Sequence, residues 1–227
     1  MVDGIIDGAR TASDNGTWKR HLVIMLRAPV AGRTKTRLAR DIGTTAAVRF
    51  YRAACFTLIT RLGRDPRWQT TLAITPDTAR DLPVWPHRVG PRQIYRIGQG
   101  QGGLGQRMQR IMGDFWRGPM IIVGTDIPAI TPDDIAAAFR ALGRTENAIG
   151  PADDGGYWLI GHARRRPPVD LFAGVRWSSE HALDDTEKNL RGGVARLRTL
   201  TDVDDRASWH AQHAQAARLI RPDMTPR

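Results

Sequence analysis

Cysteine is almost absent. Cys55 is the one thiol in 227 residues, so no internal disulfide can form and no zinc site can be built on several thiolates. Lysine is nearly as scarce: only Lys19, Lys35 and Lys188 interrupt an otherwise arginine-only set of cations. A bias that uniform more often follows genome base composition than function. Long apolar runs are missing as well. The longest reach five residues, as in Leu22–Leu26, far short of the ~20 that a helix needs to cross a bilayer. No membrane span is expected. The N-terminal stretch carries Asp3, Asp7 and Asp14 and lacks a basic segment followed by an apolar core. The expectation is therefore a cytoplasmic protein without a secretory signal. Two catalytic signatures are absent too, the G-x-S-x-G of serine hydrolases and the GxxxxGK[ST] phosphate loop.

What is present reads as globular: 41% hydrophobic and 25% charged residues. Residues 1–19 show no sustained period and are expected to be a flexible tail. Residues 20–221 are expected to form a single domain. The net charge is +11, which favours anionic partners such as phosphates, nucleotides or nucleic acid. The basic residues are spread along the chain, however. The one tight run, Arg164-Arg165-Arg166, precedes Pro167-Pro168 and reads as an exposed loop. That spread argues against a nucleic-acid partner and leaves non-catalytic RNA binding as a minor alternative.

Short apolar segments alternate with helical patterns. Strands are expected at 21–26, 70–75, 94–97, 120–123, 147–150, 156–161 and 195–200. Residues 45–62 place Ala47, Tyr51, Ala54, Leu58 and Leu62 at helical spacing. A second helix carries Met108, Ile111, Met112 and Phe115 on one stripe. A third starts where Thr131 caps and Pro132 takes the first position, running to about Leu142. Further helices are expected over 179–191 and 206–220. Residues 76–92, with four prolines, look irregular. The alternation predicts an α/β fold: a three-layer sandwich with a mostly parallel mixed sheet. In such sheets ligands bind at the carboxyl ends of the strands, and the unusual residues cluster there.

Directly after the first strand come Gly32, Arg33, Lys35 and Arg37. Alternate basic residues in a loop can converge on one phosphate, and Gly32 lets backbone approach it. A solvated basic turn is the plainer alternative. Residues 98–105 (GQGQGGLG) match GxGxxG twice, but follow the third expected strand rather than the first, which weakens an NAD(P) reading. They are either a nucleotide-contacting loop, with Gly103 and Gly105 near the ligand, or a flexible connection. Asp126, in GTDIP, ends a buried strand. A carboxylate there suits Mg²⁺ or Mn²⁺ held between protein and diphosphate, or caps the next turn. Asp153 and Asp154, in GPADDGGYW, either meet a sugar hydroxyl or a metal, or belong to a hairpin turn. Asp202 and Asp204 face the same way if the chain is extended there. Trp158 and Trp177 read as core or pocket wall.

Taken in order, RAPVAGRTKTRLARDIG, GQGGLGQRM, GTDIPAIT, GPADDGGYWLIG, VRWSS and DVDD resemble a bacterial glycosyltransferase-A-like family whose members carry the name nucleotide-diphospho-sugar transferase. That family is in part tied to arsenosugar biosynthesis and is distantly similar to phospholactate and molybdenum-cofactor guanylyltransferases. The resemblance spans about residues 21–210. It implies a nucleotide-binding sheet with a divalent metal, phosphate contacts at Arg33, Lys35 and Arg37, metal binding at Asp126, and Asp204 as a second acid. It departs from the family pattern at Asp126, where D-x-P replaces the D-x-D of typical glycosyltransferases. The expected function is a metal-dependent transferase using a nucleotide or nucleotide-sugar substrate and an acceptor. Glycosyl transfer is the leading form; nucleotidyl transfer with release of pyrophosphate is the alternative.

Overall fold

A computed structural model describes residues 19–30, 36–114 and 118–201. Residues 1–18 of the expected tail, Gly32 with the basic Arg33 and Lys35, the Asp202/Asp204 pair and the expected final helix lie outside the described residues. The order of elements is β1 (His21–Arg27), α1 (Thr36–Ile42), α2 (Thr44–Gly63), β2 (Gln69–Thr75), β3 (Arg88–Val89), β4 (Arg92–Gln93), β5 (Tyr95–Gly98), α3 (Leu104–Asp114), β6 (Met120–Val123), α4 (Pro132–Leu142), β7 (Asn147–Pro151), β8 (Tyr157–His162), α5 (Ala182–Asn189) and β9 (Val194–Arg196).

Seven strands form one sheet in the order β5-β2-β1-β6-β8-β7-β9. β1 pairs parallel with β2 and β6, β2 with β5, and β7 with β9; β8 runs antiparallel to both β6 and β7. The sheet is therefore mixed with a single reversed strand. Central strands are continuous apolar runs because both faces are covered. Side chains alternate in β1: Leu22, Ile24 and Leu26 join one core with α2 and α4, and Val23 joins the other with α3. These two cores, one on each face, make the three layers.

Every expected strand forms, with ends shifted by a residue or so, except that the last stops at Arg196. Leu200, at the end of that expected strand, makes an isolated bridge to Ala152. In α2 the buried stripe is Ala47, Tyr51, Cys55, Leu58, Ile59 and Leu62. Ala54 is only half-buried, so the inward position belongs to Cys55, one residue on. The expected irregular stretch 76–92 contains a short 3-10 turn (Asp77–Ala79) and the two-residue ladder β3-β4. The α4 cap forms as expected: Thr131 Oγ1 accepts the Asp134 amide, and the Asp134 carboxylate accepts the Thr131 amide. Among the described residues no helix is long and apolar enough to cross a membrane.

Candidate active site

At the carboxyl ends of β1, β2, β5 and β6 the chain leaves a cleft of about 950 Å³. In a parallel sheet these ends carry the loops that diverge to opposite faces, and the gap between them is the natural ligand site. Arg27 ends β1 and Thr75 ends β2; the two residues are paired in register. Gly124, Thr125 and Asp126 follow β6. The reversed β8 brings its amino end, Gly156 and Tyr157, to the same rim.

The loop after β6 is held from behind. Arg61 of α2 donates from Nη1 to the carbonyls of Pro128 (2.7 Å) and Ile130 (3.0 Å). Thr125 and Ile127 are buried, and Asp126 between them is left exposed on the cleft. The end of β1 is clamped by Tyr51 of α2, whose hydroxyl accepts the Arg27 amide and donates to the Arg27 carbonyl, both at 3.0 Å. Burial, with the Cys55 thiol adding, pushes the Tyr51 phenol well above its usual pKa, so it stays a neutral donor.

The glycine-rich stretch after β5 is held by hydrogen bonds from both sides. Gly100 donates its amide to Asp77 Oδ1 at 2.9 Å, and Gly103 donates to Gln106 Oε1 at 3.0 Å. Arg110 donates to the carbonyls of Gln99 (2.8 Å) and Gln101 (3.0 Å). Gly103 reaches the cleft wall. Gly105 does another job: a Cβ there would lie 3.0 Å from Trp177 Nε1 and 3.1 Å from Phe172 Cβ, so it lets α3 pack closely on those rings.

Two cleft residues were not singled out from sequence. Gln99, 4% exposed, donates from its amide to the carbonyls of Leu26 (3.0 Å) and Ala73 (2.9 Å). Arg107 of α3 donates to Thr75 Oγ1 (3.1 Å) and the Gly102 carbonyl (2.8 Å). It thereby places a guanidinium over the ends of β2 and β5. The available signal was positional: a polar side chain inside a glycine loop after a strand, and an arginine in the first turn of the next helix.

Asp153 and Asp154 sit in the β7-β8 hairpin, so the turn reading holds. Ala152 donates its amide to the Gly156 carbonyl, and Gly156 donates to Asp154 Oδ1, each at 2.9 Å. The two acids part there: Asp154 lines the cleft and Asp153 is not among its lining residues. Gly155 takes φ +84°, and a Cβ on it would fall 2.4 Å from the Glu180 carbonyl oxygen. The hairpin thus presses directly on the backbone before α5. That segment is fixed in turn: Arg176 grips Asp185 from Nε (2.8 Å) and Nη2 (3.0 Å), and Ser179 Oγ donates to the Arg176 carbonyl at 2.6 Å. Arg176 holds the Asp185 carboxyl far below its usual pKa. Ser178, between them, adopts φ +58°.

The result is a cleft of two characters. Its cations among the described lining residues, Arg27 and Arg107, stand on the β1/β2/α3 side. Its carboxylates, Asp126, Asp154 and Glu180, stand on the β6/β8/α5 side with the rings of Tyr157 and Trp177. Of the sequence-nominated residues, the described part of the chain brings Asp126, Asp154 and Gly103 together.

The sheet order, the single reversed strand and the carboxyl-end cleft define a protein with the nucleotide-diphospho-sugar transferase type of α/β fold. The chain belongs to the family DUF2064, described as "Uncharacterized protein conserved in bacteria", whose model matches residues 58–179. Among solved structures it is similar to a Desulfovibrio desulfuricans G20 protein provisionally named nucleotide-diphospho-sugar transferase, with 24% identity and a TM-score of 0.70 over 91% of this chain and 100% of that one. It also resembles a CMP:2-keto-3-deoxy-manno-octonic acid synthetase complexed with CTP (12% identity, TM-score 0.56, 89% and 100% covered). A third likeness is to the 4-diphosphocytidyl-2C-methyl-D-erythritol synthase of Anaerococcus prevotii DSM 20548 (8% identity, TM-score 0.55, 88% and 99% covered). None of the curated proteins matches the chain in sequence.

Proposed function

We propose that this protein is a metal-dependent transferase that uses a nucleotide substrate, and specifically a glycosyltransferase with a nucleotide-sugar donor. The observation that carries the reading is the cleft itself. It lies at the carboxyl ends of the parallel strands, with Arg27 and Arg107 on one wall and Asp126 on another. The fold shared with nucleotide-using transferases supports it.

The donor's phosphates would lie against Arg107, against Arg33 and Lys35 of the segment after β1, and against Arg37 at the start of α1, with Gly32 admitting them closely. Gly103 would face the nucleotide. Gly105 would act behind it, by fixing α3. Among the described residues no three His, Cys, Asp or Glu side chains are gathered to cage a metal. The exposed Asp126 carboxylate nonetheless fits Mg²⁺ or Mn²⁺, because Mg²⁺ is commonly held by one or two carboxylates together with substrate phosphates and water. Asp126 would hold the ion, with Asp204 as second acid, and the ion would neutralise charge on the leaving phosphate. In the transfer, an acceptor hydroxyl oxygen bonds to the anomeric carbon as the bond from that carbon to the phosphate oxygen breaks. Nucleoside diphosphate leaves with the bonding pair. The hydroxyl proton passes to Asp154, the carboxylate of the β7-β8 turn that lines the cleft, and Asp153 beside it would act only through the turn.

A second reading, nucleotidyl transfer, is favoured by the likeness to a synthetase complexed with CTP. There an acceptor phosphate oxygen attacks the α-phosphorus, and pyrophosphate leaves. A thermal-shift panel of nucleoside triphosphates and nucleotide sugars, each with and without Mg²⁺ or Mn²⁺, tests the proposal. Stabilisation by a nucleotide sugar plus metal, followed by release of nucleoside diphosphate, is the expected result. Pyrophosphate release from a triphosphate would replace glycosyl by nucleotidyl transfer, and no stabilisation by any nucleotide would refute both.

A further inference from the structure

Where β1 runs beside β6, the pairing stops before β1 does. The ladder between them extends from His21–Met120 to Ile24–Val123. β1 itself continues, paired with β2, as far as Arg27–Thr75. On its β6 side the cleft opens instead, lined by Gly124, Thr125 and Asp126. The Ala28 amide donates to the Thr75 carbonyl of β2 at 2.8 Å. Adjacent residues of a strand turn their backbone groups to opposite sides. The Arg27 amide and carbonyl therefore point to the β6 side, where a ladder partner would have stood.

Tyr51 of α2 takes that partner's place. Its hydroxyl accepts the Arg27 amide and donates to the Arg27 carbonyl, and it also accepts from Thr125 Oγ1 at 3.5 Å. One donor and two lone pairs are then all in use. Tyr51 and Thr125 are both buried, so water does not compete for these bonds. Thr125 immediately precedes Asp126. A little further along the loop, Arg61 of the same helix holds the carbonyls of Pro128 and Ile130. α2 thus grips the loop on both sides of Asp126. The β1-β6 register, carried past Val123, would put Asp126 opposite Arg27, and the Tyr51 hydroxyl is bonded to both of those chain ends.

A cation shared between a carboxylate and substrate phosphates is bound well only when the carboxylate is already in place, and the groups that orient a ligand residue matter nearly as much as the ligand itself. We infer that Tyr51 is a positioning residue of this site: its hydroxyl, bonded to Arg27 and Thr125, holds the Asp126 carboxylate where a divalent cation and the substrate phosphates meet. The inference rests on the metal-dependent transferase reading above, in either its glycosyl or its nucleotidyl form. Tyr51 acts through Asp126 rather than on the ligand.

The test uses the full chain, with a panel of ribonucleoside di- and triphosphates as probes in the presence of Mn²⁺. Nucleotide affinity is read by calorimetry and bound Mn²⁺ by electron paramagnetic resonance, well below the melting temperature of each variant. Tyr51→Phe removes only the hydroxyl, and should weaken Mn²⁺-dependent nucleotide binding about tenfold. In the Asp126→Asn background the same change should alter nucleotide affinity by less than about twofold, because the group it acts through is already gone. Thr125→Val deletes the other end of the bridge and should reproduce the loss in Mn²⁺ binding. Thr125→Ser keeps the hydroxyl and should hold the parent's value. Unchanged Mn²⁺ binding in Tyr51→Phe, an equal fall in both backgrounds as from a general loosening of the fold, or an unaffected Thr125→Val would overturn the inference alone. A parent protein that binds no probe with Mn²⁺ would overturn the metal-dependent reading, and the inference with it.

Discussion

The side-chain amide of Gln99 donates to the backbone carbonyl of Leu26 at 3.0 Å, joining the end of β5 to β1 across the intervening β2. It bonds Ala73 of β2 in passing, so one buried side chain sets the level at which three strands end. The cleft floor depends on that level. Gln99→Leu should remove the donors from two carbonyls and cost about 1–3 kcal/mol. The check is the urea midpoint, together with a weaker thermal response to nucleotide.

Arg107 is expected to hold phosphate as well as Thr75. Replacing it with methionine keeps much of the apolar stem and removes the guanidinium. Nucleotide affinity should fall by about 1.5–3 kcal/mol, the range for hydrogen bonds to charged groups, and the fall should shrink as salt rises. Calorimetry at two ionic strengths measures both. Lys35→Ala should act in the same direction.

Asp126 is exposed, between the buried Ile127 and Thr125. Asp126→Asn should therefore leave the melting temperature of the unliganded protein close to the parent's. It should abolish the extra stabilisation that Mg²⁺ or Mn²⁺ adds to a bound nucleotide, a loss of about tenfold or more in metal-dependent affinity. A variant that retained the whole metal increment would remove Asp126 from the metal role.

Gly155 combines φ +84° with backbone contact to Glu180. Alanine there meets both a left-handed conformation and the Glu180 carbonyl. The expected destabilisation is about 2 kcal/mol or more. Because the same turn carries Asp154, a variant that still folds should also lose transfer activity, seen as a lower kcat.

His162, 5% exposed at the far end of β8, supplies a pH dependence. Burial lowers its pKa below the usual 6.5; Glu146 opposes this, and Arg164 and Arg165 reinforce it. Its Nδ1 also accepts the Arg164 amide at 2.9 Å, a bond that favours the neutral ring. The folded protein thus binds fewer protons here than the unfolded chain. Stability from this group is complete above about 6.5 and is lost as the pH falls through the lower folded value, with a slope of at most about 1.4 kcal/mol per pH unit. Denaturation midpoints measured from neutral pH downward should show it. His162→Asn, which keeps an acceptor but does not titrate, should flatten that part of the curve.

Some of this was legible in the chain itself. Apolar runs such as Leu22–Leu26 and Met120–Val123 can only be strands covered on both faces, and Thr131-Pro132 with Asp134 spells out a helix start. Asp126 was visible because an acid closes a buried run. Other features were not. The β3-β4 ladder is two residues long, too short for any period. Ala54 and Cys55 are both small, and only packing against the sheet chose Cys55. Gln99 and Arg107 looked like ordinary polar residues until β5 took its place beside β2.

Local pattern by itself determined the alternation of strands and helices, and with it a sheet whose carboxyl ends must hold the cleft. Apolar spacing acts between near neighbours in sequence, so a linear reading captures it. Tertiary structure alone decided that Trp177 packs on Gly105, more than seventy residues earlier, and that Arg107 lines one cleft with Asp126, Asp154 and Glu180. Those meetings depend on strand order and on the reversal of β8, which bring together residues that no local spacing relates.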